Sequence, residues 1–259
     1  MTYLNTLSRN LLAATVLAAT TSHTAMAQDG VVYPANAPQV SYAELDQLPD
    51  FRGLWFPAFA FGSGLAEEPV LKGEYKERYD AEMARVAADP NYEIIEGPNN
   101  CEPPGMPYFM TMPYSLEFLF TPGKITVMQE AHMMIRRIFT DGRPFPEDPD
   151  PSYFGDSRGH WEGDTLVVET RNTRAGQRLG VAGITNSEDL VITERLYLDE
   201  ENPDMLHLDF TYEDPNALAE PWHLSHVFRR DRTWEMLEYI CDENDRHPII
   251  PGGMTEADF

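Results

Sequence analysis

The pattern of hydrophobic positions changes twice along the first third of the chain. Residues 28–66 are rich in proline, glycine and aromatic residues, and only Phe51–Phe56 has the composition of a short strand. From Glu67 to Ala88, apolar residues recur at spacings of three and four, and Asp89-Pro90 follows. This pattern predicts one amphipathic helix that ends before the proline. We expect its aromatic stripe to pack against the protein rather than to bind a ligand.

Beyond Cys101, apolar residues alternate with polar ones, which is typical of half-buried strands. Turn sequences rich in Gly, Pro, Asn and Asp separate the alternating segments at nearly regular spacing. The predicted strands are Tyr114–Phe120, Lys124–Phe139, His160–Trp161, Thr165–Thr170, Leu190–Leu198, Met205–Tyr212, Trp222–Arg230 and Trp234–Cys241. Such a series of short strands indicates an antiparallel barrel or sandwich.

The N-terminal residues have the composition of a cleavable secretory signal. Residues 1–27 contain no Asp or Glu, and a single basic residue precedes the apolar run Leu11–Ala19. Signal peptidase accepts small side chains such as those of Ala25 and Ala27, so we expect cleavage after Ala27. A membrane anchor is disfavoured because the apolar run is shorter than the roughly 20 residues that a spanning helix needs. The expected location is therefore periplasmic or secreted.

Charge and cysteine content narrow the classes of partner. The formal net charge of −24 argues against nucleic acid and anionic membrane surfaces, where Lys and Arg must neutralise phosphates. After the leader, no apolar stretch of the sequence is long enough to span a membrane.

Cys101 and Cys241 favour one disulfide in an oxidising compartment, with two buried free thiols as the alternative. We expect residues 28–66 and 67–259 to form one domain, and the sequence leaves the oligomeric state open.

Several longer motifs occur in collinear order between Phe51 and Asn244. They are Cys101-Glu-Pro-Pro-Gly, Phe120-Thr-Pro-Gly, Arg136-Arg-Ile-Phe-Thr-Asp-Gly-Arg-Pro, Gly159-His-Trp-Glu-Gly-Asp-Thr-Leu-Val-Val-Glu-Thr, Glu213-Asp-Pro, Pro221-Trp and Glu238-Tyr-Ile-Cys. This series resembles a large family of exported bacterial β-rich proteins, and the resemblance implies export but no particular activity. Gly53-Leu54-Trp55 resembles the Gly-x-Trp motif that opens lipocalin-like barrels. The predicted fold is therefore mostly β, an antiparallel lipocalin-like barrel or closed sandwich with one N-terminal amphipathic helix.

Candidate chemistry comes from polar residues at positions where a strand should be apolar. The chain has none of the short motifs that mark common hydrolases, nucleotide-binding proteins, zinc proteases or thioredoxin-like proteins. If Lys124–Phe139 is one regular strand, then Glu130, His132 and Arg136 project from one face. A base, an acid and a cation so close together suit proton abstraction next to a carbonyl or phenolate. A polar outer face of the barrel is the alternative.

Glu194 and His226 each lie among apolar residues on one face of a predicted strand. Burial raises the pKa of a carboxyl group and lowers that of an imidazole, which brings both nearer neutral pH and suits acid–base catalysis. Glu194 has a structural alternative, an ion pair with Arg136 or Arg137. His226 has one as well, a hydrogen-bonded core histidine.

Four further residues are candidates for ligand binding: Arg143, Arg158, His160 and Trp222. The two arginines flank a proline-rich loop, so they either hold an anionic ligand or fix the loop against this acidic protein. Glu130-x-His132 and His160-x-Glu162 combine ligand types that suit Zn, Mn or non-haem Fe. Two-residue pairs of this kind often arise by chance, so we favour a site without metal or cofactor.

These observations lead to two main functional hypotheses. The first is a periplasmic enzyme that acts on a small apolar or aromatic molecule by metal-free lyase, isomerase or hydrolase chemistry. Its base would be Glu130 or Glu194, its acid His132 or His226, and Arg136 would stabilise an anion. The alternative is a binding protein for a hydrophobic ligand, in which the same residues only orient the ligand. A third, weaker hypothesis is an assembly partner in the cell envelope, which predicts an exposed apolar patch.

Overall fold

The computed structural model describes residues 41–58, 68–89, 92, 103–180 and 183–239, with the side chain of His132 left out. The predicted cleavage site and the predicted disulfide, Cys101 with Cys241, lie outside the described residues. The strands are β1 (Leu54–Pro57), β2 (Leu116–Thr121), β3 (Lys124–Gln129), β4 (Met134–Phe139), β5 (Asp156–Glu162), β6 (Thr165–Arg171), β7 (Val191–Leu198), β8 (Met205–Glu213) and β9 (Trp222–Asp231). The α-helices of the described residues are α1 (Tyr42–Leu45) and α2 (Gly73–Ala88).

The nine strands form a closed barrel in chain order, because β1 pairs with β9 as well as with β2. The predicted fold class, a mostly β, lipocalin-like barrel, is thus confirmed. One neighbouring pair is parallel, β4 with β5, and it consists of Ile138 opposite Ser157 and Phe139 opposite Arg158. A parallel pair requires a connection that returns to the other end of the barrel. The proline-rich segment 140–155 makes this connection.

The prediction of a single strand over Lys124–Phe139 is wrong. The chain reverses at a 3-10 turn, Ala131–Met133, so that β3 and β4 form a hairpin in which Lys124 lies opposite Phe139. Met133 has a φ of 49°, a backbone conformation that non-glycine residues seldom adopt. The turn contains no Gly, Pro or Asn, so the sequence gives no sign that the chain reverses here.

The predicted strand Trp234–Cys241 is also wrong over its described residues. Residues 234–239 form neither strand nor helix. The physical reason is closure of the barrel: β9 already pairs with β8 on one side and with β1 on the other. No edge of the sheet remains for a tenth strand to extend.

Alternation along the strands separates a mostly apolar interior from the outer surface, as expected for a small barrel. The apolar residues that face inward are Leu116, Phe118, Ile125, Val127, Ile138, Leu166, Val168, Ile192, Leu196, Leu206, Leu208, Phe210, Leu224 and Phe228. We call the end that carries the β2–β3, β5–β6 and β7–β8 turns the hairpin end, and the opposite end the loop end. Residues 103–112 belong to the loop end, where Met106, Phe109 and Met110 are fully buried.

Helix α2 begins at Gly73, whereas the sequence pattern predicts a helix from Glu67. The preceding residues are extended, and the Lys72 amide donates to the carbonyl oxygen of Ala217 in the β8–β9 connection. No residue of α2 is fully buried. Tyr79 packs partly against the core, so the helix lies on the outside of the barrel near its loop end.

The hairpin end is closed by aromatic packing and by one arginine. Phe51 contacts Phe118, Phe120 and Trp161, with ring centroids 5.6 to 5.9 Å apart. The Arg230 guanidinium lies 4.6 Å from the centre of the Trp55 ring, which is a favourable cation–π distance.

Arg230 also binds two chain segments at this end, the one before β1 and the one before β8. Its guanidinium donates to the carbonyl oxygens of Asp50, Arg52 and Pro203 and to the Asp204 carboxylate. The side chain of Arg230 is almost completely buried. This one residue therefore ties β9 to the segment that leads into β1, which is the junction that closes the barrel.

We expect Arg230→Met to lower the free energy of unfolding by about 2–4 kcal/mol, because buried acceptors lose a charged donor. Urea denaturation measures the change. Arg229→Met on the same strand is the matched control, since Arg229 is exposed, and its effect should stay within about 0.5 kcal/mol. Equal effects of the two substitutions would show that Arg230 does not hold the closure.

Candidate functional site

A buried ion pair lies at the centre of the barrel interior. Arg136 on β4 donates through Nη1 to Glu194 Oε1 on β7 at 2.8 Å, and through Nη2 to Glu194 Oε2. Both side chains are at most 1% exposed. A bidentate pair fixes the planes of both groups. The ion-pair alternative for Glu194 is therefore the arrangement found, and its partner is Arg136 rather than the exposed Arg137.

Two hydroxyl groups complete the coordination of Arg136. Its Nε lies 3.3 Å from Ser157 Oγ, and its Nη2 donates to Thr170 Oγ1 at 2.9 Å. The two hydroxyl oxygens are 2.8 Å apart and share one hydrogen bond. Ser157 and Thr170 lie opposite each other on β5 and β6. The polar cluster therefore contains residues from four strands. Neither Ser157 nor Thr170 is among the site residues predicted from the sequence.

Tyr212 is the unsatisfied member of this cluster. It faces the interior from β8 and is fully buried, and its hydroxyl has no hydrogen-bond partner among the described residues. Burial raises the pKa of the Tyr212 hydroxyl well above its ordinary value, and the charge of Glu194 raises it further against the opposing effect of Arg136. The group is therefore a protonated donor at neutral pH. Buried polar groups are nearly always hydrogen-bonded, so such an exception calls for an explanation.

His226 faces the same interior from β9. Phe210 separates it from Glu194 in the sheet, because Phe210 lies opposite Glu194 and contacts the His226 ring edge-on at 6.0 Å. Burial lowers the pKa of the His226 imidazole below its ordinary value of 6.5. The imidazole is therefore neutral at pH 7. Glu194 and His226 share one wall of the barrel without direct contact.

Glu130 and Arg136 do not share a strand face, contrary to the prediction. Glu130 lies in the turn between β3 and β4, where its carboxylate accepts a hydrogen bond from Ser115 Oγ at 2.7 Å. It is partly exposed, whereas Arg136 points into the barrel. The backbone of His132 lies in the same turn. The regular-strand geometry that motivated a Glu130–His132–Arg136 site is therefore absent.

Arg143 and Arg158 fix the proline-rich connection to the outside of the barrel. Arg143 pairs with Asp141 through Nε at 2.9 Å and stacks over Phe139 at 3.9 Å. Arg158 donates to the Pro144 carbonyl oxygen at 3.0 Å and lies 5.0 Å from the Phe145 ring centre. Of the two alternatives that the sequence left open for these arginines, the contacts match the structural one.

The other two predicted ligand-binding residues lie in different environments. His160 is on the outer surface, 3.2 Å from Glu162 in the adjacent turn. Trp222 faces the interior at the loop end and packs edge-on against Tyr212, with centroids 5.7 Å apart. Trp222 is thus the predicted ligand-binding residue that lies beside the polar cluster.

A groove of about 460 Å³ lies on the outer surface, and its lining combines Met128, Met133, Trp234 and Met236 with Glu117 and Glu235. Trp234 is 63% exposed and Met133 is 41% exposed. Such a surface is what the assembly-partner hypothesis predicts.

The described residues contain neither a cluster of metal ligands nor a helix that could span a membrane. No group of three or more His, Cys, Asp or Glu side chains in that part of the chain is arranged to hold a metal ion. No helix there is long and apolar enough to cross a membrane. In comparisons with known proteins, no family model and no curated protein match the chain.

Removing one partner of the Arg136–Glu194 pair leaves a buried charge uncompensated. We therefore expect Arg136→Met and Glu194→Met each to lower the free energy of unfolding by about 3–5 kcal/mol. The double variant should lose much less than the sum, because it contains no unpaired charge. Urea denaturation of all four proteins measures the coupling, and simple additivity would contradict the role assigned to the pair.

The lowered pKa of His226 predicts a dependence of stability on pH. As the pH falls through 6.5, the unfolded chain takes up a proton on His226 before the folded chain does. The contribution of this residue to stability is therefore complete above 6.5 and declines below it. Between about pH 7 and pH 5, we expect the free energy of unfolding of the His226→Gln variant to fall less than that of the wild type. The exposed His223, changed to Gln, should behave like wild type in the same denaturation series.

Proposed function

We propose that this protein binds a small, mostly apolar molecule in the loop-end half of its barrel. The observation that carries the proposal is the fully buried Tyr212 hydroxyl without a partner among the described residues. An unsatisfied buried donor costs about 1–3 kcal/mol. A ligand that accepts a hydrogen bond from Tyr212 would remove this cost on binding.

The loop-end cover is suited to admit such a ligand. Residues 103–112 include Met106, Met110 and Met112, whose side chains are buried. Methionine is unbranched and flexible, so methionine-rich surfaces repack around ligands of different shape. Gln129 at this end donates to the Phe109 carbonyl oxygen, while its own Oε1 has no partner among the described residues. We propose that this cover moves when the ligand binds.

Binding agrees with the geometry better than the acid–base enzyme hypothesis does. Both oxygens of Glu194 accept hydrogen bonds from Arg136, so the carboxylate is engaged as an ion-pair partner and is not available as a free base. Glu130 accepts from Ser115 in a turn away from Arg136. A neutral imidazole can act as a general base, so an enzyme with His226 in that role is the second candidate function.

We further propose that the protein works outside the cytoplasm, in the periplasm or as a secreted protein. This rests on the signal-like composition of residues 1–27 and on the resemblance to exported bacterial proteins. A disulfide between Cys101 and Cys241 belongs to the same proposal. Intact-mass analysis of the exported protein, before and after reduction and alkylation, tests the cleavage after Ala27 and the disulfide together.

Energy transfer from tryptophan to a bound naphthalene probe tests the binding function. We expect N-phenyl-1-naphthylamine, a neutral apolar fluorophore, to bind saturably with one site per chain. Trp222→Phe should lower the energy transfer more than Trp234→Phe does, because Trp222 lies inside the barrel beside Tyr212, and the transfer that remains comes from the other tryptophans of the chain. Trp234→Phe is the matched control, since Trp234 lines the outer groove, and it should leave the transfer largely intact.

Two outcomes would contradict this proposal. Absence of saturable binding would remove the binding function, and transfer that depends on Trp234 would place the probe in the outer groove. Ligands that co-purify with the exported protein can be identified by mass spectrometry. Turnover of such a ligand by wild type, with loss of turnover in His226→Gln, would favour the enzyme instead.

A further inference from the structure

We propose that the interior site selects an electrically neutral ligand and holds its carbonyl-type acceptor oxygen with the Tyr212 hydroxyl. This inference rests on the proposed binding function and names the class of ligand. It follows from three properties of the polar cluster: its charge balance, its surplus of hydrogen-bond donors and its apolar surroundings.

The charges of the cluster cancel. Arg136 and Glu194 form a bidentate pair in which each neutralises the other. Four of the five N–H groups of a guanidinium can be assigned to Glu194, Ser157 and Thr170. A carboxylate ligand would therefore meet a cation that is already neutralised, and burying an uncompensated charge is far more costly than burying a neutral group.

The hydrogen-bond inventory of the Arg136–Glu194 cluster leaves donors rather than acceptors, and the one unpartnered acceptor at the loop end among the described residues, Gln129 Oε1, lies against Phe109 outside this cluster. Ser157 and Thr170 both accept from Arg136, and one of them donates to the other. The remaining hydroxyl hydrogen of this pair has no acceptor among the described residues. Tyr212 O–H is a second donor without an acceptor there. Because a carbonyl oxygen has two lone pairs, it matches a site that offers hydrogen-bond donors.

The surroundings of Tyr212 are apolar and largely aromatic. Tyr212 packs against Phe210 at 5.4 Å and against Trp222 at 5.7 Å between ring centroids. Leu224 lies opposite Phe210 on the neighbouring strand and is buried. Aromatic side chains favour edge-on or offset contacts with other rings. The structure therefore favours a flat ketone, aldehyde, ester or amide with a ring system.

Three probes of nearly equal shape test this inference at about pH 7.5. They are 2-acetylnaphthalene, which has a neutral acceptor, 2-naphthoate, which is an anion, and 2-ethylnaphthalene, which has no acceptor. We expect 2-acetylnaphthalene to bind about tenfold more tightly than 2-ethylnaphthalene, the size of one buried hydrogen bond. We expect 2-naphthoate to bind most weakly of the three, because its charge has no partner inside.

Tyr212→Phe should remove the advantage of the ketone over the hydrocarbon and leave the affinity for 2-ethylnaphthalene unchanged. Tyr197→Phe is the matched control. Tyr197 donates to Asp209 at 3.1 Å from a part-buried position on β7, and its loss should not change the order of the probes. Equal loss of all three affinities in Tyr212→Phe would show a structural role only, and would overturn the inference.

The carbonyl stretching frequency of bound 2-acetylnaphthalene gives a test that needs no variant. Infrared difference spectra should show the frequency lowered relative to the ketone in hexane, as expected for an oxygen that accepts hydrogen bonds. An unshifted frequency, or 2-naphthoate binding as tightly as the ketone, would overturn the inference.

Binding of 2-ethylnaphthalene and the ketone with equal affinity would mean that Tyr212 does not select the ligand, while the binding function itself would stand. Failure of all three probes to bind inside would remove the binding function as well.

Discussion

The structure depends on keeping one arginine and one glutamate buried together inside the barrel. Arg136 comes from β4 and Glu194 from β7, so the pair connects strands that are not neighbours in the sheet. Burying two charges carries a large desolvation cost, and only close bidentate contact and further hydrogen bonds offset it. Ser157 and Thr170 supply those bonds from β5 and β6. The register of four strands must therefore be correct at the same time.

This constraint explains why charged side chains of the described residues meet inside the barrel only as a pair. Once Arg136 and Glu194 neutralise each other, their cluster carries donors without acceptors among the described residues. The Tyr212 hydroxyl has no partner in that part of the chain. Proteins tolerate such a group where a ligand completes it, which is why the loop-end half of the barrel is the proposed binding site rather than a uniformly packed core.

Contacts of three other arginines close the barrel around the Arg136–Glu194 pair. Arg230 joins β9 to the segment before β1 at the hairpin end. Arg143 and Arg158 hold the proline-rich connection that makes the parallel β4–β5 pair possible. In a chain with a net charge of −24, these buried and stacked arginines lie beside carboxylates, carbonyl oxygens and aromatic rings. Most of the positive charge singled out in the sequence therefore serves the fold, and the ligand site relies on neutral donors.

The sequence by itself determined the mostly β fold, the end of α2 at Ala88 and the place of Glu194 among apolar residues of one strand face, because alternation and breakers are local. For Arg136 it left an inward and an outward position open. It also offered the pairing of Glu194 with Arg136 as an alternative. Only the tertiary structure decided that Glu130 and Arg136 lie apart. The alternation of apolar and polar residues continues through the β3–β4 turn, which contains neither Gly nor Pro, so the sequence does not indicate the reversal. Only the tertiary structure distinguished Tyr212 from an ordinary core tyrosine. Whether a buried hydroxyl has a partner depends on every strand around it, and barrel closure brings those strands together from distant parts of the chain.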